Sequence, residues 1–158
     1  MERPADKIYD VLKRYWGFTE FRPVQERIIR SVMDGRDTLA LMPTGGGKSL
    51  TYQIPGLAQE GLCIVVTPLI ALMKDQVQNL RKRGIKALAI YSGMTRQEIV
   101  TALENCIFGD YKFLYISPER LDTENIPYQT SFNEGLHDYG RRKATVSHNG
   151  GMISVRLT

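Results

Sequence analysis

The residues with the clearest chemical potential are Met42-Pro43-Thr44-Gly45-Gly46-Gly47-Lys48-Ser49. Three consecutive glycines let backbone N–H groups turn inward without Cβ clashes. A lysine directly after them can reach the β- and γ-phosphates of a nucleotide, and a serine hydroxyl can ligate Mg²⁺. The chemistry this spacing serves is the holding of a polyphosphate and its magnesium ion. The strict pattern G-x-x-x-x-G-K-S/T asks for glycine where this chain has Met42. A plainer reading is a glycine turn capping a strand, with Lys48 and Ser49 there by chance. The flanking residues argue against it.

Those flanks are the elements that must position the loop. Thr38 to Met42 is an apolar run that reads as a buried parallel strand, and Leu50 to Ile54 reads as the start of a helix. The helix N-terminus adds partial positive charge and unpaired N–H donors at the phosphate position. Upstream, Pro4 to Tyr15 reads as a helix with Ile8, Val11, Leu12 and Tyr15 on one face. Gly17 breaks it within an aromatic-dense stretch, and Pro23 opens a second helix with Val24, Ile28, Ile29, Val32 and Met33 as its apolar face. Downstream, strand and helix alternate. Leu62 to Val66, Ala87 to Tyr91 and Lys112 to Ile116 are β-rich runs. Leu69 to Arg83 has helical spacing and stops at Gly84. Thr95 with Glu98 forms a capping box for a helix running to about Phe108, and Pro118 begins a short helix. This alternation predicts an α/β parallel sheet with flanking helices. Ligands of such sheets bind at the carboxyl ends of the strands. The glycine loop, Thr67-Pro68 and Ser117-Pro118 are therefore expected on one edge.

Bulk properties set looser bounds. A chain of 158 residues with 42% hydrophobic content accommodates one globular domain at most. The net charge of +4 is compatible with nucleic acid but does not locate a surface for it, because no segment concentrates the charge. Cys63 and Cys106 lie far apart in apolar surroundings and read as reduced, buried thiols, not as a disulfide or metal site. No signal peptide opens the chain and no apolar run reaches membrane-spanning length. The expectation is a cytoplasmic protein with no membrane contact.

The stretch Phe18 to Gln25, with Phe21, Arg22, Pro23 and Val24, resembles the aromatic-Arg-Gln motif that precedes the phosphate loop in RecQ-type DNA helicases. The loop in the form M-P-T-G-G-G-K-S-L is similar to their Walker A, so Met42 is expected there. Val66 to Val77 resembles their motif Ia and Leu114 to Leu121 their motif Ib. Four motifs in order and spacing are highly specific and span residues 8–124. The resemblance implies an incomplete RecA-like (P-loop NTPase) sheet preceded by N-terminal helices, with ATP and Mg²⁺ as cofactors and single-stranded or duplex DNA as partner. It implies ATP contacts at Phe18, Arg22, Gln25, Thr44, Gly45, Gly46, Gly47, Lys48 and Ser49. Phe18 would stack on adenine and Gln25 would bond its edge. Lys48 and Ser49 would be catalytic, and Ser49 a metal ligand. Thr67, Pro68, Ser117 and Arg120 would line the single-strand path. Plainer readings stand beside these: Phe21 and Phe18 as core aromatics, Ser117 as a helix cap, and Lys74 and Lys82 as solvated helix faces.

The resemblance stops near Glu124. A helicase of this kind needs a Walker B Asp-Glu pair, and this sequence has none. A second RecA-like domain and its arginine finger are also missing. Residues 125–158 hold only 11 apolar side chains among 34, and taken alone they read as an irregular, disordered tail. A sharper reading is a slipped reading frame. Codons for His137 to Arg142, read from their second base, can encode M-I-T-V-D-E. Codons for Lys143 to Thr158, read from the third base, can encode S-H-C-I-S-Q-W-G-Y-D-F-R-P-S-Y-L. That is similar to the family's D-E-S/A-H run and the loop after it, and needs slips near Glu124 and Lys143. The expectations are therefore a helicase ATP-binding fragment over 1–124, inactive by itself in lacking Walker B, with an unrelated or out-of-frame tail over 125–158. The alternatives are a non-catalytic nucleotide- or DNA-binding module with a genuine tail, or a different P-loop enzyme such as a small kinase, against which motifs Ia and Ib argue. Oligomeric state is not legible.

Overall fold

The computed structural model describes the backbone of residues 4–42, 47–121, 144–149 and 152–157, and the side chains of residues 7–42 and 47–120. Two helices come first, α1 (Pro4–Trp16) and α2 (Pro23–Met33). Strand β1 (Thr38–Leu41) leads to the glycine loop and to α3 (Leu50–Ala58). Then β2 (Cys63–Val66), α4 (Ile70–Lys82), β3 (Ala87–Ile90), α5 (Arg96–Phe108), β4 (Phe113–Ile116) and the short α6 (Pro118–Leu121) alternate as the hydrophobic spacing predicts. The capping box of α5 forms as expected. Thr95 Oγ1 accepts from the Glu98 N–H at 3.2 Å, and Glu98 Oε2 accepts from the Thr95 N–H at 2.7 Å.

Strands β2, β4 and β3 pair in parallel, and their alternating side chains feed two cores. Phe113 and Tyr115 pack with Val65, Met73, Val77 and Leu80 on the α4 side. Leu114 and Ile116 pack with Ile99, Leu103 and Cys106 on the α5 side. Each large apolar side chain buried here contributes about 1.5–3 kcal/mol. A third cluster joins Ile8 and Leu12 of α1, Ile29 of α2 and Ile54 and Ala58 of α3. Gly56 lets α3 approach the sheet closely, since a Cβ there would lie 2.8 Å from Phe113 Cε1.

The C-terminal tail differs from the expected irregular segment. Residues Ala144–Asn149 form β5 and Met152–Leu157 form β6. They pair antiparallel with Val146 opposite Val155 and Asn149 opposite Met152. The reason is local. Thr145, Val146, Ile153 and Val155 are β-branched, and the two runs are separated by two residues, Gly150-Gly151, the connection that tight hairpins favour. The hairpin lies between β1 and β2 in a six-stranded order β1-β6-β5-β2-β4-β3. The hairpin thereby pairs the facing edges of the two, β2 with β5 and β1 with β6.

One polar network lies within the α4-side core. The Tyr52 hydroxyl donates to Gln76 Oε1 at 2.6 Å and the Tyr115 hydroxyl donates to the same oxygen at 2.7 Å. Gln53 Nε2 donates to the Tyr115 oxygen at 3.1 Å. Burial pushes the Tyr52 phenol up to about 12 and raises that of Tyr115 as well. Because the folded state favours the neutral phenols, their contribution is fully present below the ordinary tyrosine value near 10 and is lost as pH rises from there through about 12. The urea midpoint should hold between about pH 7 and 9 and fall above about pH 10; an unchanged midpoint at about pH 11 would contradict this. Burial likewise pushes both thiols, Cys63 and Cys106, up to about 12. Neither should react with a disulfide reagent in the native protein, and both should react in urea; native labelling at the rate of a free thiol would contradict their burial.

Candidate functional site

Strand polarity gathers the sequence motifs. β1 runs antiparallel to β6, β6 antiparallel to β5, and β5 parallel to β2. Hence β1 points the same way as β2, β4 and β3, and their carboxyl ends share one edge. Gly47, Lys48 and Ser49 follow β1, Thr67 and Pro68 follow β2, and Ser117 follows β4 on that edge, as the sequence predicts. Pro43, Thr44, Gly45 and Gly46 lie outside the described residues.

Gln25 is tied to the loop. It is buried on the first turn of α2, where its Oε1 accepts from the Arg22 N–H at 3.0 Å and its Nε2 donates to the Gly47 carbonyl at 3.1 Å. Gly47 has φ +72, a conformation that strains any side chain, and a Cβ there would displace the end of the Gln25 side chain. An amide has a second N–H and a second lone pair. Together these are the donor and acceptor that an adenine N7/N6 edge requires. Phe18, between α1 and α2, is 56% exposed and presents an aromatic face to solvent. Phe21 is half-buried against the α1–α2–α3 cluster, with its ring 5.0 Å from that of Tyr9. It is the core aromatic of the two. Arg22 is exposed at the start of α2.

Ser49 lies at the N-cap of α3, and its Oγ accepts from Gln76 Nε2 at 2.7 Å. Lys48 is half-buried beside it. Among the described residues no group of three or more His, Cys, Asp or Glu is placed to hold a metal. The donor set suits a magnesium ion that takes most of its oxygens from phosphates and water and one from Ser49.

The residues assigned to the single-strand path are adjacent but not equally accessible. The Thr67 N–H donates to the Ile116 carbonyl at 3.1 Å and the Ser117 N–H to the Ile90 carbonyl at 3.1 Å. Thr67 Oγ1 is buried and accepts from the Leu69 N–H at 3.3 Å, a local turn bond. Ser117 Oγ is buried with no hydrogen-bond partner among the described residues. Pro68 is exposed and Arg120 half-exposed. Lys74 and Lys82 are exposed on α4, with Lys74 Nζ 4.6 Å from the Tyr91 ring centre. Sequence reasoning missed Gln76. The available signal was a glutamine at a core position of the α4 stripe, between Met73 and Leu80.

Residues 22–139 match the family model described as DEAD/DEAH box helicase. The match runs past Glu124 into the stretch before β5. Over 118 residues the chain is 48% identical to the probable ATP-dependent DNA helicase RecS of Bacillus subtilis (strain 168), covering 74% of this chain and 23% of that protein. Over 112 residues it is 50% identical to the ATP-dependent DNA helicase RecQ of the same strain, covering 70% and 19%. The RecQ of Haemophilus influenzae is 42% identical over 134 residues, covering 85% and 21%. The chain thus spans about a fifth to a quarter of these relatives. The crystal structure of the DUF1998 helicase MrfA bound to DNA and AMPPNP superposes with TM-score 0.66 at 21% identity, over 84% of this chain and 19% of that one, a likeness of fold. Among the described residues no helix is long and apolar enough to cross a membrane. The glycine loop at the end of β1, the glutamine bonded to it and the matched residues 22–139 together make this chain a member of the DEAD/DEAH box helicase family, homologous to RecQ ATP-dependent DNA helicases.

Proposed function

We propose that residues 1–124 are the nucleotide-binding part of the first RecA-like domain of a RecQ-type DNA helicase, and that this chain binds ATP. The observation that carries the reading is the Gln25 side chain bonded to the Gly47 carbonyl, with Phe18 exposed in the segment that leads into α2. In this reading Phe18 stacks on adenine, Gln25 bonds its edge and Arg22 stands near the nucleotide. Thr44 to Gly47 cradle the phosphates, Lys48 neutralises the β- and γ-phosphates, and Ser49 ligates Mg²⁺. DNA lies along the strand ends at Pro68 and Arg120. Thr67 and Ser117, whose hydroxyls are buried and whose N–H groups are bonded within the sheet, shape the turns that present Pro68 and Arg120. ATP-driven 3′ to 5′ unwinding belongs to a longer protein with a Walker B pair and a second RecA-like domain. A cytoplasmic location accords with this activity.

The hairpin β5–β6 favours a second form of the reading, a non-catalytic nucleotide- or DNA-binding module, because it pairs with both β1 and β2 instead of leaving the sheet open. The other form takes the tail as an out-of-frame copy of the Walker B strand and the loop after it. The nucleotide sequence of the locus separates them: no shifted frame readable as D-E-S/A-H leaves the hairpin as a genuine segment.

Titration with a fluorescent ATP analogue tests the shared core of both. The chain should bind it saturably. Gly47→Ala should weaken binding about tenfold or more, because the added Cβ displaces Gln25 and strains a positive-φ turn. Lys48→Ala should weaken it comparably by removing the phosphate cation. Absence of saturable binding by the unaltered chain would overturn the proposal. Robust DNA-stimulated ATP hydrolysis would overturn the assignment of catalysis to a longer protein.

A further inference from the structure

Gln76 joins the α4-side core to the loop serine from a different helix, alongside Tyr52 of α3, whose phenol also bonds Ser49. Its amide is almost fully used and its orientation is set by its neighbours. Both lone pairs of Oε1 are met by phenol protons, from Tyr52 at 2.6 Å and Tyr115 at 2.7 Å. The Tyr115 oxygen in turn accepts from Gln53 Nε2 at 3.1 Å, which leaves its proton for Gln76. In this arrangement each phenol proton meets a lone pair of Oε1, and Nε2 stands 2.7 Å from Ser49 Oγ as a donor. The residue is 8% exposed, so water does not compete freely for these bonds.

The consequence falls on the serine. A hydroxyl has one proton and two lone pairs. With one lone pair engaged by Gln76, the rotation of the Ser49 side chain is restricted and its second lone pair is aimed at a fixed place. We infer that Gln76 is a positioning residue that holds the Ser49 hydroxyl in the orientation that accepts the divalent cation of a nucleoside triphosphate. The inference rests on the nucleotide reading above and adds a residue from a different helix. α4 begins directly after Thr67-Pro68, so the residue that orients the cation ligand is carried by the helix that leaves the proposed DNA edge. Supporting partners of a metal ligand act in this way elsewhere, through orientation rather than contact with the ion.

The test is the ratio of the affinity for a fluorescent ATP analogue in Mg²⁺ to that in EDTA, measured on the whole chain. Gln76→Met, close in volume and without a donor, should lower the ratio about tenfold while leaving affinity in EDTA within about twofold. In a Ser49→Ala background, Gln76→Met should leave the ratio unchanged. If Gln76→Met does not fold, Gln76→Asn, whose amide is one methylene short of Ser49, carries the same expectation. An unchanged ratio in a folded variant overturns the inference alone. So does equal loss of affinity in both buffers, or a ratio that still falls without Ser49, since either is what a structural role gives. No saturable binding by the unaltered chain in either buffer overturns the nucleotide reading and this inference with it.

Discussion

Phe113, Leu114, Tyr115 and Ile116 are all buried, and this double-sided burial of β4 is the constraint from which the architecture follows. A strand apolar on both faces must carry helices on both. Parallel neighbours cannot be joined by tight turns, so each connection crosses over through a helix. α4 takes one face and α5 the other. β1, β2, β3 and β4 then end at the same edge. The glycine loop, Thr67-Pro68 and Ser117 are brought together by this crossover geometry before any of them makes a specific contact.

In the α4-side core the polar side chains bond one another. Two phenols, two carboxamides and a serine hydroxyl form a connected chain from β4 through α4 to the start of α3. Such groups are costly when half-paired and specifying when fully paired. The network gives α3 a register against α4 that apolar packing alone would leave less defined. It also places the loop serine by bonds to elements that carry the neighbouring strand ends. Gly47 and Ser49 are held from two directions, by Gln25 on α2 and by Gln76 on α4.

The hairpin β5–β6 changes the account of the tail. Low apolar content suggests that 125–158 cannot fold, yet residues 144–149 and 152–157 need no core of their own. They add to an existing sheet and meet unpaired backbone edges of β1 and β2. Hydrogen-bonding capacity at a sheet edge recruits any strand of suitable pattern. This explains how the sheet closes, and it is independent of whether the segment is the one its reading frame was meant to supply.

The sequence by itself determined the elements from α1 to α6 and the family. Those rest on local rules: helical and strand periods, glycine tolerance at positive φ, capping pairs and the spacing of Lys48 and Ser49 from the strand. It also carried Gln25, Phe18 and the common edge. Which of the paired aromatics is in the core was left open, and only packing against Tyr9 decided for Phe21. Only tertiary structure could bury the hydroxyls of Thr67 and Ser117, bring Gln76 to Ser49 across 27 residues of chain, and place the hairpin between β1 and β2. Each of these depends on which surfaces meet, and neither composition nor periodicity encodes the partner of a side chain or of a strand edge.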